Sequence, residues 1–226
     1  TGLLDKGNAQ FGIEIDKSSG NQIGGAAAAE RNVISGNDKG ISLWNNGSTL
    51  NVIQGNYIGV DVTGDAALGN SNDGIVIGGG ANNNTIGGDR TAGEGNVISG
   101  QTGALSDGIE IDNAGADNNK VYGNFIGTNH DGTAAIGNAR YGVVIYNGVQ
   151  GTQVGGTGTG QGNIIAGNLS SGIVIDGNAV STTSGNVVVA NYIGLNAAGT
   201  ATLGNGAHGV HIFGSAQGNT IGGATA

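Results

Sequence analysis

The sequence predicts a right-handed parallel β-helix, an all-β solenoid of about six to seven coils with three short strands per coil and 14-residue loops on alternate coils. Three observations predict it. A Gly followed by an alternating apolar stretch recurs at Gly12, Gly40, Gly74, Gly108, Gly142, Gly172 and Gly209. Between successive copies lie two segments, most of them led by Asn, with an aliphatic residue two positions on, as in Asn51-Val52-Ile53 and Asn56-Tyr57-Ile58. Inserts of equal length, 60–73, 128–141 and 195–208, follow every second coil. Self-similarity of this kind marks units that can bury an apolar face only against their neighbours.

Side-chain alternation decides what each strand contributes. In Gly12-Ile13-Glu14-Ile15 the isoleucines share one face and Glu14 takes the other. By the same parity the second strands, from Asn21-Gln22-Ile23 to Asn219-Thr220-Ile221, send both Asn and Ile inward, as do the third strands from Asn32-Val33-Ile34 to Asn191-Tyr192-Ile193. A buried amide without partners costs roughly 1–3 kcal/mol. Coils stacked ~4.8 Å apart remove that cost by letting each Asn meet the Asn of the next coil. Two Asn ladders are predicted, the one on strand two interrupted at Thr152. Connections that always progress in one direction give parallel sheets with right-handed crossovers. The 50 glycines then fall at corners, and because they do not recur every third residue they exclude collagen.

A longer rhythm of two coils overlies this one, with spacings of 62, 68 and 67 residues from Gly12 through Gly74 and Gly142 to Gly209. Equal insert length argues for packed loops. They end in Ala67-Leu68-Gly69-Asn70, Ala135-Ile136-Gly137-Asn138 and Thr202-Leu203-Gly204-Asn205. Leu68, Ile136 and Leu203 are expected to cover the outward apolar residues of strand three, namely Val33, Tyr57, Val97, Phe125, Ile164 and Tyr192.

Composition bounds the partners. A net charge of −9 with only seven Lys and Arg argues against nucleic acid and other polyanions. Lack of Cys removes disulfides and thiolate metal sites. No apolar run approaches the ~20 residues of a spanning helix, so no membrane insertion is expected. Residues 1–226 read as one β-helix domain, with Thr1 to Asn8 as a third strand leading into Gly12. The chain is expected to be a segment of a longer protein or a stacking unit of a fibre, its partners being adjoining domains or end-to-end copies of itself.

Asn-Val-Ile-Ser-Gly-Asn at 32–37, Gly-Asn-Tyr-Ile-Gly at 55–59 and Asn-Thr-Ile-Gly-Gly at 84–88 resemble the parallel β-helix repeats of the pectin-lyase-like superfamily, closest to arrays of large bacterial secreted or cell-surface proteins. The resemblance covers essentially the whole chain. It implies an extracellular or cell-surface location and a non-enzymatic structural or adhesive role as stalk, spacer or filament segment. It implies as the alternative a carbohydrate-binding or polysaccharide-degrading module, hydrolase or lyase, because that superfamily holds both.

For the alternative, the outward positions of strand one form two columns. One reads Glu14, Ser42, Val76, Glu110, Val144, Val174 and His211; the other reads Asp16, Trp44, Gly78, Asp112, Tyr146, Asp176 and Phe213. Asp16, Trp44, Asp112, Tyr146, Asp176 and Phe213 are the carbohydrate-binding candidates, rings stacking on sugar faces and acids bonding hydroxyls. Asp112 and Asp176, two coils and hence ~9.6 Å apart, are the candidate catalytic pair, close to the ~6.5–9.5 Å of inverting glycosidases. No basic residue lies in either column, so no catalysis is expected. In the loops Asp61, Asp65, Asn129 and Asp131 are candidate oxygen ligands for Ca²⁺, the one cofactor the pattern admits.

Overall fold

The computed structural model describes residues 7–178 and 181–223. The third strand expected in Thr1 to Asn8 falls largely outside them. The chain is a right-handed parallel β-helix built from three all-parallel sheets. The first sheet stacks Phe11–Asp16, Lys39–Trp44, Ile75–Gly78, Ile109–Ile111, Val143–Tyr146, Ile173–Asp176 and Val210–Phe213 in chain order. The second stacks Gln22–Gly24, Val52–Gln54, Thr85–Gly87, Lys120–Tyr122, Gln153–Val154, Val187–Val188 and Thr220–Ile221. The third stacks Val33–Ile34, Tyr57–Ile58, Val97–Ile98, Phe125–Ile126, Ile164–Ile165 and Tyr192–Ile193. Register follows the predicted columns, as in Glu110 opposite Val76 and Val144. The interior is a column of aliphatics, among them Ile41, Leu43, Ile53, Ile77, Ile98, Ile111, Val121, Ile145 and Ile165, all fully buried.

Three amide ladders, one more than expected, run along the corners. On the second sheet, Asn51 donates its backbone N and its Nδ2 to Asn84 Oδ1 at 3.0 and 2.9 Å, and Asn84 does the same to Asn119. Before the third-sheet strands, Asn56, Asn96, Asn124 and Asn163 repeat the pattern. The unexpected ladder joins Asn8, Asn37, Asn70, Gln101, Asn138, Asn168 and Asn205 at the corner between the third and first sheets. Apart from Asn8, each of these ladder amides also donates to a main-chain carbonyl, for example Asn96 Nδ2 to Ile53 O at 2.8 Å. The buried ladder amides are therefore satisfied, and the aligned dipoles strengthen one another.

Thr152 interrupts the second-sheet ladder. Its Oγ1 is the one buried side-chain oxygen or nitrogen without a hydrogen-bond partner among the described residues. Asn119, with no amide beyond it, turns its Nδ2 to Ala81 O and Ala116 O. Thr152→Asn is expected to raise stability by about 1–2 kcal/mol, because the bonds gained replace an orphaned hydroxyl. Thermal unfolding checks this, and a rise of about 2–6 °C is the expected reading for a chain of this size.

The 14-residue loops are packed, and of the residues expected to cover the outer face of strand three Ile136 does so while Leu68 does not. Each is closed by an antiparallel bridge, Val60 to Ala67, Thr128 to Ala135 and Leu195 to Thr202. Ile136 packs against the small outer core of Tyr57, Val60, Val97 and Phe125, whereas Leu68 stands 54% exposed. The loop turns add to the covering. Gly64, Gly132 and Gly199 lie so close to the rings of Tyr57, Phe125 and Tyr192 that a Cβ would sit 2.8, 3.1 and 2.8 Å from ring carbons. Successive loops also bond to each other across two coils, His130 N to Gly64 O and Ala197 N to Gly132 O, both at 3.0 Å.

Candidate functional site

The outer face of the first sheet carries the chemistry. In one outward column Val76, Val144 and Val174 are 1%, 4% and 1% exposed, so most of that face is a covered apolar floor rather than a solvated surface. Above it lies a groove of about 420 Å³ lined by Lys39, Asp73, Glu110, Arg140, Tyr141 and Tyr146, with Asp176 and Phe213 at one end. A second concavity of about 470 Å³ continues past Lys39 to Glu14, Phe11 and Trp44. A further concavity of about 510 Å³ lies elsewhere, at a corner lined by Asn, Gly, Ala and Asp117, and holds no cluster of titratable groups.

At the groove's centre the carboxyl oxygens of Asp73, Asp107 and Glu110 lie within 4.8 Å of one another. These are the oxygens that could hold a hard cation, but each is already engaged. Asp107 accepts from Arg140 Nε at 3.0 Å, from Arg140 Nη2, and from Tyr141 N at 2.9 Å. Asp73 Oδ1 accepts from Asp107 N at 2.9 Å, and its Oδ2 faces Lys39 Nζ at 3.6 Å. Glu110 lies against the Tyr146 hydroxyl, the two interacting electrostatically. Burial pushes Asp107 up to about 6 even against the pull of Arg140, and pushes Glu110 up to about 7, with the neighbouring Asp73 adding to the shift. Burial and the adjoining Glu110 raise the Tyr146 phenol as well.

The structure brings together only some of the residues singled out from the sequence. Tyr146, Asp176 and Phe213 line the groove, and Phe213 stacks on His211 at 4.5 Å between centroids. Trp44 lies in the neighbouring concavity, its ring against Gly78 of the next coil, where a Cβ would come within 2.2 Å. Asp16 and Asp112 line neither. Asp16 Oδ1 accepts from Asn45 Nδ2 at 2.8 Å, and Asp112 Oδ1 from Asn147 Nδ2 at 2.7 Å, so both acids hold the corner Asn of the next coil. Asp112 is therefore not paired with Asp176 across the groove; Glu110, in the adjoining column, is the acid that faces it.

Lys39, Asp73, Asp107 and Arg140 were missed. Lys39, Asp73, Asp107 and Tyr141 each occupy the position just before a strand-one Gly, a column that begins with Phe11 and ends with Ser171 and His208. Its polar and aromatic character was the signal, one residue outside the alternating segment.

The loop candidates act on their own backbone. Asp61 Oδ1 accepts from Thr63 Oγ1 at 2.7 Å and from the N of Thr63 and Gly64, which holds its carboxyl below the usual range. Thr133 does the same for Asp131. Asn129 Oδ1 takes Thr133 N and Ala134 N, while Asp65 Oδ1 accepts from Asn129 Nδ2 and lies 2.9 Å from His130 Nδ1. These bonds shape the turns that lie on Tyr57 and Phe125. Searches of protein-family models, curated proteins and solved structures give no match to this chain.

Proposed function

We propose that the chain is a stiff, non-enzymatic structural segment, a stalk, spacer or fibre-forming array of an extracellular or cell-surface protein of the pectin-lyase-like superfamily. The observation that carries this reading is the set of three amide ladders parallel to the axis, which add side-chain bonds to the main-chain bonds already directed from coil to coil. Its partners are adjoining β-helical coils or further copies of the chain. The carboxyl cluster fits the same reading, since each acid is tied to a protein partner and the oxygens lie closer together than the ~6.5–9.5 Å of inverting glycosidases. The location outside the cell rests on the repeat resemblance.

A second reading, saccharide binding in the groove, is favoured by the rings of Tyr141, Tyr146 and Phe213 around Glu110. One experiment separates the two. The chain is incubated with a panel of neutral and acidic polysaccharides, followed by assays of new reducing ends, of unsaturated products and of co-sedimentation. An inert panel, with unhinged rods of uniform width in electron micrographs, is the expected result. Turnover or binding that disappears in Glu110→Gln or Tyr146→Ala overturns it.

A further inference from the structure

Lys39 and Asp73 hold the same position on neighbouring coils, each just before a strand-one Gly, and the backbone locks them together through Gly40 N to Asp73 O at 3.0 Å. Lys39 Nζ stands 3.6 Å from Asp73 Oδ2, with the side chains 24% and 4% exposed. That separation is longer than a charge-assisted hydrogen bond, and it sets the amine against the Asp73 carboxyl group, whose carbon is the atom to be attacked. The other Asp73 oxygen is held by Asp107 N at 2.9 Å, which orients the carboxyl group with Oδ2 toward the amine. A third group, Glu110, places its carboxyl oxygen within 4.8 Å of that of Asp73 and is itself steadied by Tyr146. An amine, a carboxyl group and a second carboxyl group able to carry protons are thus gathered in one groove. The corresponding pair one coil further on cannot react, because the partner of Asp107 is the non-nucleophilic guanidinium of Arg140.

We propose that Lys39 and Asp73 condense into an intramolecular isopeptide bond, with Glu110 as the proton carrier. The lysine ammonium gives one proton directly to the Asp73 carboxylate, leaving a free amine beside a protonated carboxyl group. The Nζ lone pair attacks Cγ of that carboxyl group, and the Glu110 carboxylate takes a proton from the nitrogen as the C–N bond forms. Glu110 returns its proton to the departing hydroxyl, the Cγ–O bond breaks, and one water leaves. One ammonium and one carboxylate become one amide and one water, with no change in net charge and no oxidant or other reactant. Burial places Glu110 where it both takes and gives a proton near neutrality, as a shuttle must. The product clamps the second coil to the third along the direction in which a stalk is pulled, yet it forms or fails independently of what the solenoid does.

The test is the intact mass of the purified chain, with peptide mapping. The expected mass is one water below that of the sequence. Trypsin should leave the bond after Lys39 uncut and release residues 32–90 as a single internally looped peptide one water below its sequence mass. Lys39→Arg and Glu110→Gln should both return to the full sequence mass with unchanged far-ultraviolet circular dichroism. Asp73→Asn should form the same link with loss of ammonia in place of water. Wild-type chain at its full sequence mass, folded and cut by trypsin after Lys39, overturns the proposal and leaves an ion pair. A link that survives in Glu110→Gln overturns the role given to Glu110.

Discussion

Asn124→Ala is expected to destabilise the chain by about 3–5 kcal/mol, far beyond an ordinary surface substitution. Asn124 is fully buried at the middle of its ladder. Its Oδ1 accepts from Asn96 N at 3.1 Å and Asn96 Nδ2 at 2.9 Å, while its Nδ2 donates to Ile86 O at 2.9 Å and Asn163 Oδ1 at 3.1 Å. Truncation removes all four bonds, leaving two donors and a carbonyl that water cannot reach. The net worth of four ordinary bonds, at ~1 kcal/mol each, sets the lower part of that range, and the unpaired groups supply the rest. A drop of about 10 °C in melting temperature follows for a chain of this length. Asn46→Ala, at an exposed corner, should stay within about 0.5 kcal/mol and serves as the comparison. Equal melting temperatures for the two variants would show that the ladders contribute nothing beyond the backbone.

The ladders also show which part of the architecture could be read from the chain. Asn56, Asn96, Asn124 and Asn163 lie two residues before an inward Ile in a fixed local pattern, so parity alone places them inside. The ladder from Asn37 to Asn205 obeys no fixed spacing. Its members precede the strand-one Gly by three residues at Asn37, four at Asn70 and seven at Gln101, where the longer side chain replaces Asn. What unites them is a preceding Gly at 36, 69, 100, 137, 167 and 204, visible in sequence but meaningful only once the corner has been built.

The groove was hidden for a related reason. Alternation assigns faces within a strand, and Asp73, Asp107 and Arg140 lie at the turn before it, where alternation has no force. Parity did place Val76, Val144 and Val174 on the outer face, but whether that face is open or covered depends on side chains from other coils. Tyr146 and Asp176 were found because they lie inside the alternating segment, whereas Glu110 was seen in its column and left without a role because its neighbours were unknown.

Gly87→Ala is expected to cost at least about 4 kcal/mol, enough to compromise folding at physiological temperature. Two costs combine. Gly87 has φ of 87°, outside the region an L residue adopts freely, which alone is worth about 1–2 kcal/mol. The larger cost is steric. A Cβ there would stand 1.9 Å from Tyr122 O and 2.5 Å from Asn124 Oδ1 in the next coil. Neither can yield, because Tyr122 O is backbone in the same sheet and Asn124 is clamped on both sides by its ladder. Gly24 and Gly155 close strand two of their coils in the same way, with φ of 76° and 82° and the carbonyls of Gln54 and Val189 against them. In the intervening coils the left-handed residue comes one position later, at Gly55, Gly123 and Ala190. This one-residue offset is the local origin of the two-coil rhythm, since it is after Gly24, Gly87 and Gly155 that the chain swings out into its short insert. Gly20→Ala isolates the first cost, having φ of 69° and no heavy atom within 4 Å of the added Cβ. Thermal and guanidinium unfolding should therefore rank wild type, then Gly20→Ala lower by about 1 kcal/mol, then Gly87→Ala far below both. A Gly87→Ala chain that melts together with Gly20→Ala would mean that neighbouring coils can part by the width of a methyl group, which a stack knit by buried amides should not permit.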